Sequence, residues 1–236
     1  MIEPTKRPVT PWRALLGVWL EPGATFEGLR ERMPILLPYL VQMAIGVPVA
    51  IISARASTNL SQSFMAGQPV PPGFDAAMKT ASMVGGLLSG LAMPWLTGVV
   101  VAGLATFFGQ FQSTRVPFGT YLGLVGYARL PVVVGTVVQA FLTLSATTMA
   151  ELTTKSVSLA VLLPADASPY LRGALSTLNP FVIWYYVILT IGLATLHRAK
   201  PSKTWSLAAT LFAVSLLLAT VGGGLGTTMI QQTQVK

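Results

Sequence analysis

Five stretches of the chain are apolar almost without interruption, and polar residues gather between them. They run Pro34–Ala54, Met83–Phe108, Gly119–Leu144, Asn179–Leu196 and Ser206–Ile230. A helix of ~20 residues crosses a hydrocarbon core about 30 Å thick. Closed β-barrels also span membranes, but they require alternating segments of ~10 residues in place of unbroken runs. The pattern predicts an all-α integral membrane protein: a five-transmembrane-helix bundle over residues 34–230, an amphipathic segment over 1–33 and a short tail over 231–236.

Ahead of the first run, Trp12, Leu15, Leu16, Trp19 and Leu20 recur at i, i+3, i+4, i+7 and i+8, a helical spacing. Pro11 suits a first helical position. Two tryptophans beside Arg13 suit the headgroup layer of a membrane. After Glu21-Pro22-Gly23, Thr25 is expected to cap a second short helix carrying Phe26, Leu29, Arg30 and Arg32. The stretch Ala14–Leu20 is too short to span and ends without an A-x-A-like site, so no cleavable signal peptide is read there.

The connection Arg55–Ser82 is polar and rich in Pro and Gly, and reads as a loop. In the longer connection Ser145–Leu178, the apolar piece Ser158–Pro164 predicts a short surface helix. Gly86/Gly90, Gly119/Gly123 and Gly222/Gly226 are each spaced as G-x-x-x-G, which lets helix backbones approach closely. Packing within the chain is expected there in preference to a dimer interface. Pro48 and Pro94 lie inside spans and permit kinks.

Composition agrees with the pattern: 53% of residues are hydrophobic and 9% are charged, against about 25% charged in soluble domains. The net charge of +8 does not point to nucleic acid, because the basic residues flank the spans. Lys6, Arg7, Arg13, Arg30, Arg32, Arg115, Arg198, Lys200 and Lys203 fall on one side; Arg55, Lys79, Lys155, Arg172 and Lys236 fall on the other. That bias predicts a cytoplasmic N-terminus and an extracytoplasmic C-terminus.

The seven acidic residues all lie outside the five runs, and the chain has one histidine and no cysteine. A proton or cation relay across a membrane uses intramembrane carboxylates or histidines. The H-E-x-x-H, G-x-S-x-G and P-loop motifs are absent from the sequence. The expectation is a protein with no catalytic residues, no metal site and no cofactor. His197, at the end of the fourth run, is expected at the membrane interface.

One permanent charge does sit inside a span. Arg129 lies about ten residues into the third run, or ~15 Å along a helix axis. Burial of such a charge costs from ~2.5 kcal/mol upward, so it needs compensation. Snorkelling toward Glu27, Glu31 or a lipid phosphate, carbonyls freed by Pro131, and a partner's carboxylate all remain open. Tyr127 offers a hydroxyl nearby.

Gly126-Tyr127-Ala128-Arg129-Leu130-Pro131 fits G-Y-x-x-x-P in a third span. With five spans and a cytoplasmic N-terminus, this resembles the Yip1/YIPF domain family. The segments Pro22–Pro34 ("PGATFEGLRERMP") and Leu178–Trp184 ("LNPFVIW") look like its bacterial branch. Eukaryotic members, which bind Rab-type GTPases and act in membrane trafficking, also carry D-L-x-G-P before their spans; this chain does not. The resemblance implies a multi-pass, non-enzymatic protein of the bacterial cytoplasmic (inner) membrane. It would act as a membrane scaffold or accessory subunit in membrane organisation or partner recruitment. The alternative is a lipid-binding transporter or scramblase using Arg129 as headgroup contact. Candidate lipid- or partner-binding residues are Arg129, Tyr127, Gly126 and Pro131, with Trp12, Trp19, Arg30 and Arg32 in the N-terminal helices. Expected partners are lipids with anionic or phosphate headgroups, another membrane or cytoplasmic protein, or a second copy of the chain, and no nucleic acid.

Overall fold

Pro11 opens the first helix, as its fixed φ and missing N–H allow. In the computed structural model, which describes residues 9–65, 72–111, 115–144, 151, 155–164 and 167–234, that helix is α1 (Pro11–Leu20). It is followed by α2 (Pro22–Leu29), α3 (Leu36–Met65), α4 (Phe74–Gly109), α5 (Phe118–Ala128) and α6 (Leu130–Leu144). A 3-10 turn (Leu159–Leu162) precedes α7 (Pro169–Ser176), α8 (Pro180–His197) and α9 (Pro201–Gln234). No strand occurs among the described residues. Five segments are long and apolar enough to cross a membrane: Leu36–Ala54, Phe74–Gly109, Phe118–Leu144, Pro180–His197 and Thr204–Val221. The third consists of α5 and α6, which meet at Arg129.

Three boundaries differ from expectation. The second helix starts at Pro22, so Thr25 lies within it and its amide bonds to the Glu21 carbonyl at 3.0 Å. Thr25 is buried beside Gly17 of α1 and does not cap. The connection Arg55–Ser82 is mostly helical, because α3 continues to Met65 and α4 begins at Phe74. Its Pro and Gly residues all lie at 67–73, leaving neither helix breaker on the two flanks. Ser158–Pro164 forms a single 3-10 turn, with Ser158 accepting from the Ala160 amide. Both α3 and α4 run on through Pro48 and Pro94.

The chain divides into two compact units. The first comprises Met1–Met43, Met93–Val133 and Trp184–Leu211. Its core holds Ala14, Val18, Phe26, Leu29, Tyr39, Leu124, Val125, Ile188, Leu189 and Leu193. Here α1 and α2 pack on α5 and α8: a Cβ at Gly192 would run into Phe26 and Leu124, and Gly123 lies against Met33. The first turns of α9 tie to α8, where Thr204 donates to the Thr190 carbonyl at 3.1 Å and Tyr186 to that of Leu211 at 3.3 Å.

The second unit comprises Ala44–Ala92, Val134–Ile183 and Phe212–Lys236. There α3 and α4 meet through glycines: Gly86 faces the Ala50 carbonyl, and Gly90 lies on Val47. That glycine pair is therefore a contact within the chain. The surroundings of Gly222 and Gly226 lie outside the described residues. Gln139 of α6 holds the following connection, donating to the Lys155 carbonyl at 2.9 Å and accepting the Val157 amide at 3.1 Å. Replacing Gln139 by leucine removes both bonds, at about 1–2 kcal/mol. Faster amide hydrogen exchange over 155–163, with 180–197 unchanged, is the expected outcome; unchanged exchange at 155–163 would show that Gln139 does not hold it.

Candidate functional site at the break in the third span

Pro131 has no N–H to continue a helical ladder and disfavours helical backbone in the residue before it. The distortion falls at Arg129, between α5 and α6, with φ −77° and ψ −7°; its amide still bonds to the Val125 carbonyl at 3.0 Å and its carbonyl accepts the Val133 amide at 3.3 Å. Pro131 itself is buried in the first turn of α6.

Arg129 is half-buried, and its Nε donates to Gln42 Oε1 at 3.5 Å, the outer limit of a hydrogen bond. Gln42, on α3, is 2% exposed. Its Nε2 donates to the Gly126 carbonyl at 3.0 Å, which fixes the amide with its oxygen toward Arg129. Among the described residues no carboxylate lies in ion-pair distance of Arg129; neither Glu27 nor Glu31 reaches it. Its compensation is thus a neutral amide, and the freed-carbonyl arrangement is not the one observed.

Tyr39 lies one helical turn before Gln42 on α3. Tyr39 donates to the Leu122 carbonyl at 3.1 Å and stacks on Trp95, ring centroids 4.3 Å apart. Tyr185, on α8, is 5% exposed, and its hydroxyl is buried with no hydrogen-bond partner. Tyr127 points elsewhere: its hydroxyl donates to the Pro11 carbonyl at 3.3 Å, joining the third span to the start of α1. The small Cα of Gly126 lets Pro38 and Tyr39 approach, since a Cβ there would sit 2.9 Å from each ring.

Of the N-terminal candidates, Trp12 is exposed and Trp19 half-buried, while Arg30 ends α2 half-buried and Arg32 is exposed. They are not brought to Arg129. His197 is buried at the C-terminal end of α8, and its Nε2 lies 2.8 Å from the Tyr121 hydroxyl, joining α8 to α5. Sequence reasoning missed Gln42 and Tyr39. An amide inside a span was the available signal for Gln42, because such groups bond across helices.

Fold and site define an all-helical, multi-pass membrane protein with a polar centre at a broken third span. A Yip1 domain model matches residues 16–223, and the chain belongs to that family. It is also 25% identical over 237 residues to "Membrane protein YknW" of Bacillus subtilis (strain 168), covering 94% of this chain and 95% of the relative. No solved structure matches.

Proposed function

We propose that this chain is a non-enzymatic scaffold or accessory subunit of a bacterial membrane assembly, with α1 as its recruiting surface on the cytoplasmic side. The observation that carries the reading is a row of apolar side chains on α1. Trp12, Leu16 and Leu20 are 68%, 73% and 83% exposed, while Ala14 and Val18 on another face are fully buried. The buried face anchors the helix to the folded core, so the outward row is held in place and available. Aromatic and aliphatic anchors of this kind dominate the energetics of protein interfaces. The positive-inside bias supports a cytoplasmic position for this row.

The test is a photo-crosslinking amino acid at position 16 of the full chain in its native membrane. A single protein adduct, lost when Trp12→Ser and Leu20→Ser are added, is expected. Adducts to lipid alone would overturn the recruiting role.

A further inference from the structure

The third and fourth spans end at different depths where the connection between them begins. Phe181, in the first turn of α8, packs its ring on Gly135 of α6, where a Cβ would lie 2.8 Å from it. The fourth span therefore starts at the level of Gly135. The third continues from Gly135 to Leu144, about 13 Å further at 1.5 Å per residue. That extension is apolar on its outer side: Phe141 and Leu144 are 69% and 51% exposed. The fourth span has 18 residues, or ~27 Å, against a hydrocarbon core about 30 Å thick.

The connection is folded into this difference in level. Gln139, within the extension, bonds its backbone at Lys155 and Val157. The Leu159 amide donates to the Leu178 carbonyl at 2.9 Å, beside the start of the fourth span. The 3-10 turn packs on α7, and Arg172 of α7 donates to the Pro164 carbonyl at 2.8 Å. The large side chains that the pair turns outward are apolar: Leu159, Val161, Leu162, Tyr170 and Leu171, with Leu162 76% exposed.

Two observations say what covers them. The first is continuity, because these side chains lie at the depth of Phe141 and Leu144, which belong to a span. The second is the backbone. A loop in water can leave its amides to solvent, whereas backbone at membrane depth must be satisfied within the protein. Every amide from Val157 to Val161 donates within the chain, in turn to Gln139 Oε1, Ser156 Oγ, the Leu178 carbonyl, Ser158 Oγ and the Ser158 carbonyl, at 2.9–3.3 Å. Tyr170, with an apolar ring and a polar tip, suits the same layer.

We infer that the 3-10 turn and α7 form a lipid-docking face, seated in the headgroup–acyl boundary of the leaflet in which the third span ends. Apolar faces of this kind enter that boundary by about 5–10 Å, within the difference in level between the two spans. The face closes the entrance of the short fourth span against water. It does not depend on α1 recruiting a partner.

The chain has no cysteine, so a nitroxide on an introduced one reports a single position. The test places it by Leu162→Cys, by Leu171→Cys and, as a reference within a span, by Phe141→Cys. The full chain is reconstituted in vesicles of phosphatidylethanolamine and phosphatidylglycerol. Collisions with oxygen, which concentrates in lipid, are compared with collisions with a nickel chelate confined to water. All three side chains point outward, so the substitutions leave the packing intact. Oxygen collisions should exceed nickel collisions at 162 and 171, as at 141. Nickel in excess at 162 or 171 would place the face in water and overturn the inference, whatever is found at 141. Low rates with both reagents at these two positions would mean that a partner chain or a second copy covers the face, and would overturn it equally.

Discussion

Gly90→Ala should cost about 2–3 kcal/mol, the upper part of the range for overpacking a tight contact, with a fall in Tm on the order of 5–10 °C. A methyl group at Gly90 would sit 2.7 Å from the Val47 Cα and 3.0 Å from its amide nitrogen. Those are backbone atoms of α3, so no rotamer change relieves the clash and the two helices must separate. The same substitution at Gly85, five residues earlier on α4, meets nothing within 4 Å. There the gain in helix propensity should stabilise by up to ~1 kcal/mol. Thermal unfolding of both variants in one detergent checks the pair. Equal effects at the two positions would mean that α3 and α4 do not meet at Gly90.

Gln42→Leu should be the more damaging polar substitution, at about 3–5 kcal/mol. Leucine fills much of the same space, so the loss is electrostatic. The Gly126 carbonyl loses the donor held at 3.0 Å, and Arg129 loses its side-chain acceptor. Leaving a buried acceptor unmade costs ~1–3 kcal/mol, and more for a charged group. Gln42→Glu offers a contrast. It supplies a carboxylate to the arginine, and it surrenders the bond to Gly126 when ionised. Its loss should be smaller than that of leucine, because the charge is then paired. Denaturant unfolding of the two variants separates the contributions. Leucine tolerated as well as glutamate would show that Arg129 draws no stability from position 42.

The spans were legible in the sequence because crossing a membrane depends on contiguous apolar length, which is a property of the chain read in one dimension. Three of the five segments lie within two residues of the expected bounds; the second begins nine residues earlier, at Phe74, and the fifth runs Thr204–Val221. Pro11, Pro180 and Pro201 mark helix starts for an equally local reason, a fixed φ and a missing N–H. Arg129 and Pro131 stood out because a charge and a helix breaker are anomalous within an apolar run. The tight approach at Gly86 and Gly90 was also legible, since only glycine spacing of that kind lets backbones meet.

The partners of those residues could not be read that way. Periodicity grouped Trp12, Leu15, Leu16, Trp19 and Leu20 on one helical stripe. Folding splits it, packing Leu15 and Trp19 against the core beside the buried Ala14 and Val18 and turning Trp12, Leu16 and Leu20 outward. The small residues are chosen because they let α1 sit close to its neighbours, a criterion that hydrophobicity alone does not carry. Tyr127, adjacent to Arg129 in sequence, reaches Pro11 instead. Arg129 is served by Gln42, 87 positions away on another helix. Sequence by itself determined how many times the chain can cross a membrane, where the crossings lie and where Pro131 opens the ladder of one of them. Only the tertiary structure decided what stands beside the break, because a helix fixes the direction of each side chain but not which other helix that side chain meets.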